Sequence, residues 1–277
     1  MQEDGYLQAE EAYESGFSSV YDRFMDEVPY DRWADRIRKN LAHYGVKDDA
    51  AERKILVDLG CGTGQMTRRM ADFGYDCIGV DLSEEMLAVA GNAEAAKPRG
   101  ILYLNQDMRE LDLYGCAGQV ISCCDSVNYL VTEEDMAAML RRVEETLLPG
   151  GLFVFDFNTL HKYRDTMGEK TIAENRVNES FVWENHFLEE AEDEDGGKLA
   201  HINVCDVTFY IREGDSELFR RYAEQHWQRG WTLAEMKALL EKTGFELLEA
   251  VDDDNDAPAG DKTERVVITA RKKGTAS

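Results

Sequence analysis

The period of the apolar positions changes along this chain, and the changes mark its parts. Residues 1–50 carry Tyr13, Phe17, Tyr21, Phe24, Tyr30 and Trp33 in a stretch that reads as helical, a cap to pack on the core of the chain. At Ile55-Leu56-Val57-Asp58-Leu59 the run is nearly continuous in apolar residues, which predicts a strand buried on both faces. Residues 65–73 bring Met66, Met70 and Phe73 to one helical face. Residues 77–80 form a second strand ending in Asp81, and Ser83 caps a helix whose Glu84 and Glu85 suit its positive end. A third strand at 101–105 leads into Gln106-Asp107-Met108, and a fourth at 120–124 ends in Asp125. Thr132 caps a helix with Met136, Leu140, Val143 and Leu147 at helical spacing, stopped by Pro149-Gly150-Gly151 before a fifth strand at 152–157.

From about residue 171 to 230 the period falls to two, as in Phe181-Val182-Trp183-Glu184-Asn185-His186-Phe187, and Gly196-Gly197 within the acidic stretch 189–198 predicts a hairpin tip. Helical spacing returns at Trp231. Thr232-Leu233-Ala234-Glu235 is a capping box, Leu233, Met236, Leu239 and Leu240 form a stripe, and Gly244 closes the helix. Strands at 245–251 and 265–271 come next, joined by the acidic turn 252–261, and pair most simply as antiparallel neighbours. The expected fold is α/β: a doubly wound, Rossmann-like, seven-stranded and mostly parallel sheet with an antiparallel last strand, a helical N-terminal cap and an inserted antiparallel β-sheet. The expected divisions are a cap at 1–50, a core domain at 51–160 and 231–277, and an inserted lid or substrate subdomain at 161–230.

Strand, glycine loop and helix at 55–73 form a small-molecule cradle in such folds. Gly60, Gly62 and Gly64 allow a tight turn and close approach of a ligand. A dinucleotide fingerprint wants its third glycine at position 65, where this chain has Gln65, which argues against a nicotinamide oxidoreductase. Asp58, just before the loop, repels a pyrophosphate and suits a cationic amine.

Charge narrows the partners. With 31 basic and 56 acidic residues among 277, the net charge is −25, so a nucleic-acid substrate is disfavoured; Arg220, Arg221 and Arg229 are the nearest approach to a basic patch. The cysteines Cys61, Cys77, Cys116, Cys123, Cys124 and Cys205 show no zinc spacing and read as small buried residues of a reduced, cytoplasmic protein. No apolar run reaches membrane-spanning length, and the acidic start lacks a signal-peptide pattern. Asp252-Asp253-Asp254-Asn255-Asp256 lacks the glycine and terminal glutamate of a calcium loop and reads as a solvated turn.

Val57-Asp58-Leu59-Gly60-Cys61-Gly62-Thr63-Gly64 resembles the first motif of the class I S-adenosylmethionine-dependent methyltransferases. Gly79-Val80-Asp81-Leu82-Ser83 with Met86-Leu87, then Gln106-Asp107-Met108, then Leu148-Pro149-Gly150-Gly151 resemble that family's later motifs, in the same order and at matching intervals. Tyr21-Asp22-Arg23-Phe24-Met25 and Val28-Pro29-Tyr30-Asp31 are similar to a bacterial, small-molecule-type subgroup that carries a β-rich insertion. The resemblance implies S-adenosylmethionine as methyl donor, S-adenosylhomocysteine as product and no metal. It implies that Asp58 faces the methionine part, with backbone room at Gly60, Gly62 and Gly64. Asp81 would accept both ribose hydroxyls and Asp107 the adenine amino group. Met108 and Leu82 would pack on the two adenine faces, and Cys124 and Asp125 would sit near the methyl group.

Displacement at a sulfonium methyl needs a general base only where the nucleophile starts protonated. His226 is the first choice, with Glu224, Tyr21 and Tyr13 as further candidates and His186 and His201 as weaker ones. Tyr21 also resembles N-terminal aromatics that close over the donor. The expected acceptor is a small molecule, with Trp183, Trp227, Tyr210 and Tyr222 as candidate lid residues. An RNA or protein acceptor, or a non-catalytic S-adenosylmethionine sensor, are the alternatives. The chain is expected to act as a monomer or homodimer, away from membranes.

Overall fold

A computed structural model describes residues 15–47, 50–115, 117–193 and 196–274. Tyr13 and Cys116 lie outside the described residues.

Among the described residues, helices α1 (Ser15–Phe24) and α2 (Tyr30–Tyr44) precede the sheet. Strands β1 (Ile55–Leu59), β2 (Asp76–Asp81), β3 (Leu102–Asn105), β4 (Ala117–Ser122) and β5 (Leu147–Asn158) then alternate with α3 (Gln65–Asp72), α4 (Glu84–Ala96) and α5 (Glu133–Thr146). An antiparallel sheet comes next, made of β6 (Thr171–Asn175), β7 (Glu179–Glu192), β8 (Lys198–Arg212) and β9 (Phe219–Arg229) in sequential order. The chain returns through α6 (Leu233–Lys242), β10 (Phe245–Asp252) and β11 (Arg265–Lys272).

The larger sheet has the order β10-β11-β5-β4-β1-β2-β3. Strands β1 to β5 are parallel, and β11 runs antiparallel to both β5 and β10. The expected mostly parallel sheet with an antiparallel last strand and an extra antiparallel sheet is therefore the fold observed. The strand order reverses between β1 and β4. That is the switch point where an open α/β sheet leaves a crevice at the carboxyl ends of its strands.

Burial on both faces explains the apolar strands. Val57, Leu59, Phe153, Phe155 and Phe157 pack on Met136, Leu140 and Val143 of α5 and Met236, Leu239 and Leu240 of α6. On the other face Leu56, Ile121 and Val154 meet Ala34, Ile37 and Leu41 of α2 and Met66 and Met70 of α3. Each fully buried large side chain contributes roughly 1.5–3 kcal/mol before entropy is counted. The Thr232 capping box opens α6 as expected.

Three local expectations need correction. Helix α5 ends at Thr146, and Pro149-Gly150-Gly151 lies within β5, where Gly150 takes a left-handed φ of 73°. The β4–β5 register slips there between Ala117 and Gln119, so the motif is an irregularity at a strand start and not a helix stop. Phe73 leaves the α3 stripe and is exposed beneath the Arg38 guanidinium. The acidic turn is only partly solvated: Asp253 is buried and accepts from Arg32, Arg36 and Trp33 of α2. Those bonds fasten the N-terminal helix to the end of β10.

Candidate active site

A cavity of about 690 Å³ opens at the carboxyl ends of β1, β2 and β4. Its position derives from topology, and its shape from the loop after β1. Gly60 holds a φ of 65°, and a Cβ there would lie 2.6 Å from Ser126 Cβ, so only glycine lets this loop pass the turn after β4. Gly62 holds a φ of 53° with open space where a Cβ would be, on the cavity wall.

One end of the cavity is acidic. Asp58 is buried, and its Oδ2 accepts from Thr67 Oγ1 at 2.6 Å. Burial, with a smaller contribution from the nearby Asp81 charge, pushes its carboxyl up to about 7. A group so desolvated gains from a cationic partner. Asp81 accepts the Gly62 N–H at 2.6 Å and the Ser83 N–H at 2.9 Å, which ties the glycine loop to the end of β2. Burial raises its carboxyl, and the donated N–H groups only partly offset the shift. Asp107 is gripped by Arg109, whose Nε and terminal nitrogen donate to Oδ2 at 2.9 and 2.6 Å. Burial presses the Asp107 carboxyl upward, but the Arg109 donors outweigh it and leave the group below the usual carboxylate range. Met108 lines the wall and packs on the core, while Leu82, 67% exposed, stands at the rim.

The other end is aromatic. Tyr21 of α1, Tyr30 of α2 and Tyr129 share it with Cys123, Cys124, Ser126 and Leu130. Helix α1 reaches the cavity because Thr63 Oγ1 of the glycine loop donates to Asp22 at 2.6 Å. Its far side docks on the inserted sheet, with the Phe24 ring 5.0 Å from Phe181 and 5.6 Å from Phe209.

The structure thus brings Asp58, Gly60, Gly62, Asp81, Leu82, Asp107, Met108, Cys124 and Tyr21 to one cavity. Three expected residues do not line it. Gly64 starts α3 with its Cα facing Tyr103, whose hydroxyl would lie 2.4 Å from a Cβ, so it serves helix–strand packing. Asp125 turns away. Strand β4 ends at Ser122, Cys124 and Asp125 take left-handed φ values of 60° and 52°, and Asp125 pairs with Arg265 at 2.6 Å and accepts from Gln228. Asp156 fixes that turn by accepting the N–H groups of Cys124 and Asp125. His226 is buried on β9 behind the wall, with Nδ1 2.9 Å from Tyr129 Oη.

The remaining candidates are spent elsewhere. His186 pairs with Glu169 and His201 approaches Glu189 at 3.9 Å, both off the cavity. None of Trp183, Trp227, Tyr210 and Tyr222 lines it. Arg220, Arg221 and Arg229 make no free basic patch, since they engage Glu213, Thr208 and Glu235. Sequence reasoning passed over Tyr30, Arg109, Ser126 and Tyr129 as wall residues. Tyr129 had one signal: it lies just past the end of a strand at the switch point, where ligands bind.

A doubly wound sheet of this order, with an acid-ended glycine loop and a second acid at the end of the next strand, has the form of a nucleoside cradle. Residues 56–151 match the methyltransferase domain model. YqeM of Bacillus subtilis (strain 168), which carries the methyltransferase name provisionally, is 34% identical over 263 residues, covering 94% of this chain and 97% of its own. The dTDP-3-amino-3,4,6-trideoxy-alpha-D-glucopyranose N,N-dimethyltransferase of Streptomyces venezuelae is 33% identical over 144 residues, 52% of this chain and 58% of that one. An S-adenosylmethionine-dependent methyltransferase from Clostridium acetobutylicum ATCC 824 has a similar structure, with a TM-score of 0.79 and 25% identity across 94% of this chain and 98% of the other. The chain belongs to the S-adenosylmethionine-dependent methyltransferases. No helix among the described residues is long and apolar enough to cross a membrane.

Asp58 gives a test by pH. A carboxyl held up to about 7 in the fold, against an ordinary value of 3.8, stabilises the protein below its ordinary range, and that contribution is lost as pH rises through 7. The denaturant midpoint of the ligand-free protein should therefore fall between about pH 4 and pH 7, and Asp58→Asn should flatten the fall. Identical slopes for the two proteins would show that Asp58 does not titrate there.

Proposed function

We propose that the protein transfers a methyl group from S-adenosylmethionine to a small-molecule acceptor, with an amine nitrogen the favoured nucleophile. The observation that carries the reading is one cavity lined both by the acids Asp58, Asp81 and Asp107 and by the phenols Tyr21, Tyr30 and Tyr129. The donor's adenosine and ammonium groups suit the acidic end, and an uncharged or amine-bearing acceptor suits the phenols. The name of the Streptomyces venezuelae relative, an amino-sugar N,N-dimethyltransferase, supports an amine. The pairing of Arg220 and Arg229 with carboxylates argues against a polyanionic acceptor such as RNA.

When bound, S-adenosylmethionine supplies a methyl already activated on a sulfonium, which departs as the thioether of S-adenosylhomocysteine. The chain's own work is alignment and the exclusion of water. Asp81, both of whose oxygens already hold backbone N–H groups, presents its remaining lone pairs to the ribose hydroxyls. Asp58 balances the ammonium charge. Asp107 accepts the adenine amino group while Arg109 fixes its carboxylate, and Met108 and Leu82 cover the ring faces. Gly60 and Gly62 leave room for the methionine part, and Cys124 borders the methyl end. Tyr21 of α1 flanks the cavity, and the Thr63–Asp22 bond holds that helix beside it. The reading requires no metal.

Asp81→Ala should weaken S-adenosylmethionine binding by about 1–3 kcal/mol in calorimetry, the scale of hydrogen bonds lost to a ligand. Unchanged affinity would remove Asp81 from the ribose role. Incubating the full chain with methyl-tritiated donor and a fractionated metabolite extract, with total RNA and total protein in parallel, should put label in a small-molecule fraction. Label confined to RNA or protein would reject the acceptor class.

A further inference from the structure

From the cavity wall a chain of three groups runs inward, the first half-buried and the other two buried. Tyr129 is on the wall, its Oη is 2.9 Å from His226 Nδ1, and His226 Nε2 is 3.3 Å from Glu224 Oε2. His226 is 6% exposed and Glu224 4%. They stand two residues apart on β9 and so share one face of the strand. The row continues to Gln228, which donates to Asp125. This polar face of the inserted sheet is turned into the protein, against the 3₁₀ turn Ser126–Tyr129.

That turn is held rigidly. Asn128 Nδ2 donates to the carbonyls of Asn158 and Arg229, and its Oδ1 accepts the Asn158 N–H. Ser126 Oγ donates to the Cys123 carbonyl and lies 3.2 Å from the Gly60 carbonyl. Tyr129 therefore stands on a turn tied to the glycine loop through Ser126, with its hydroxyl against His226. A phenol alone is a poor base at neutral pH, because its proton has nowhere to go. Here an imidazole lies within hydrogen-bond distance, and a carboxylate lies within reach of that imidazole. The arrangement obeys the logic of a nucleophile–base–orienter triad, with the phenol as the group that meets the substrate.

We propose that Tyr129 is the proton-accepting residue for the methyl acceptor, and that His226 and Glu224 act through it as a relay from the inserted sheet. The proposal rests on the methyl-transfer reading above. As the acceptor's nitrogen or oxygen bonds to the methyl, its proton passes to Tyr129 Oη. The proton already on Tyr129 passes to His226 Nδ1. The imidazolium so formed, with its second proton on Nε2, is stabilised by the Glu224 carboxylate. After release of the methylated product the relay runs backward and the proton returns through the phenol to solvent. No proton or charge is left over. The inserted sheet then contributes to the chemistry from behind a wall that it does not itself line. The histidine expected to touch the substrate acts one residue removed.

Two measurements on the full chain decide this. The first needs no substrate. In a long-range nitrogen–proton spectrum of histidine-labelled protein, the His226 Nδ1 resonance should be that of a nitrogen accepting a hydrogen bond, with the proton on Nε2 toward Glu224. Tyr129→Phe should shift the Nδ1 resonance as its hydrogen bond is lost. A proton on Nδ1, or an Nδ1 resonance indifferent to Tyr129→Phe, overturns the relay.

The second uses the label-accepting fraction from the methyl-transfer screen. Tyr129→Phe and His226→Asn should each lower kcat about 10²-fold, the scale of lost proton transfer, with S-adenosylmethionine affinity unchanged by calorimetry. Asn can still accept a bond near the Nδ1 position but takes up no proton, so full kcat in His226→Asn reduces the histidine to a structural role and overturns the proposal. Glu224→Gln should lower kcat less. If no fraction accepts label, the methyl-transfer reading fails, while the histidine spectrum still decides whether the relay exists.

Discussion

The site depends first on the bond between the Asp81 carboxylate and the Gly62 N–H. At 2.6 Å it joins the loop after β1 to the end of β2, and the second carboxylate oxygen caps the turn at Ser83. A buried acid is costly unless its lone pairs are used. These two N–H groups use part of that capacity and leave the rest facing the cavity. Loop shape and ligand chemistry are therefore one problem. The glycines permit the path, and the acid at the end of the neighbouring strand selects it.

Everything else at the cavity is brought in by tethers to this frame. Thr63 draws in α1 through Asp22, and Asp253 draws in α2 through Arg32, Arg36 and Trp33. Asp156 and Arg265 hold the left-handed Cys124–Asp125 turn, a strained conformation for residues other than glycine, at the tyrosine-rich end. The inserted sheet is anchored twice, by Phe24 packing on Phe181 and Phe209 and by the polar face of β9 meeting the turn at Tyr129. Cap and core thus meet at a single cavity, and the insert packs behind its wall, although the three are far apart in sequence.

Sequence periodicity made the fold legible because parallel strands buried on both faces leave continuous apolar runs, as at 55–59, and helices between them leave stripes, as at Met236, Leu239 and Leu240. The acidic end of the cavity was legible for a related reason. Asp58, Asp81 and Asp107 sit at or just beyond strand ends, and strand ends can be read. Orientation past a strand end cannot. Asp125 looked as eligible as Asp81, but two consecutive left-handed residues turn it toward Arg265, a partner 140 residues away. His226 looked like a base beside the cleft and is screened from it by Tyr129. Glu224, His226 and Gln228 alternate along β9 as a polar row. Only the packing of β9 against the turn after β4 reveals that this row faces inward. Asp253 teaches the same lesson, since an acidic run reads as solvated until cations from a distant helix are found on it.

The most direct test of the account is a crystal structure of the full chain with S-adenosylhomocysteine. The account predicts the ribose hydroxyls on Asp81, the adenine beside Asp107 between Met108 and Leu82, and the amino-acid part over Gly60 and Gly62 with its ammonium toward Asp58. The Tyr129 hydroxyl should remain bonded to His226. Nucleoside density outside this cavity, or within it with Asp81 making no contact to the ribose, would contradict it.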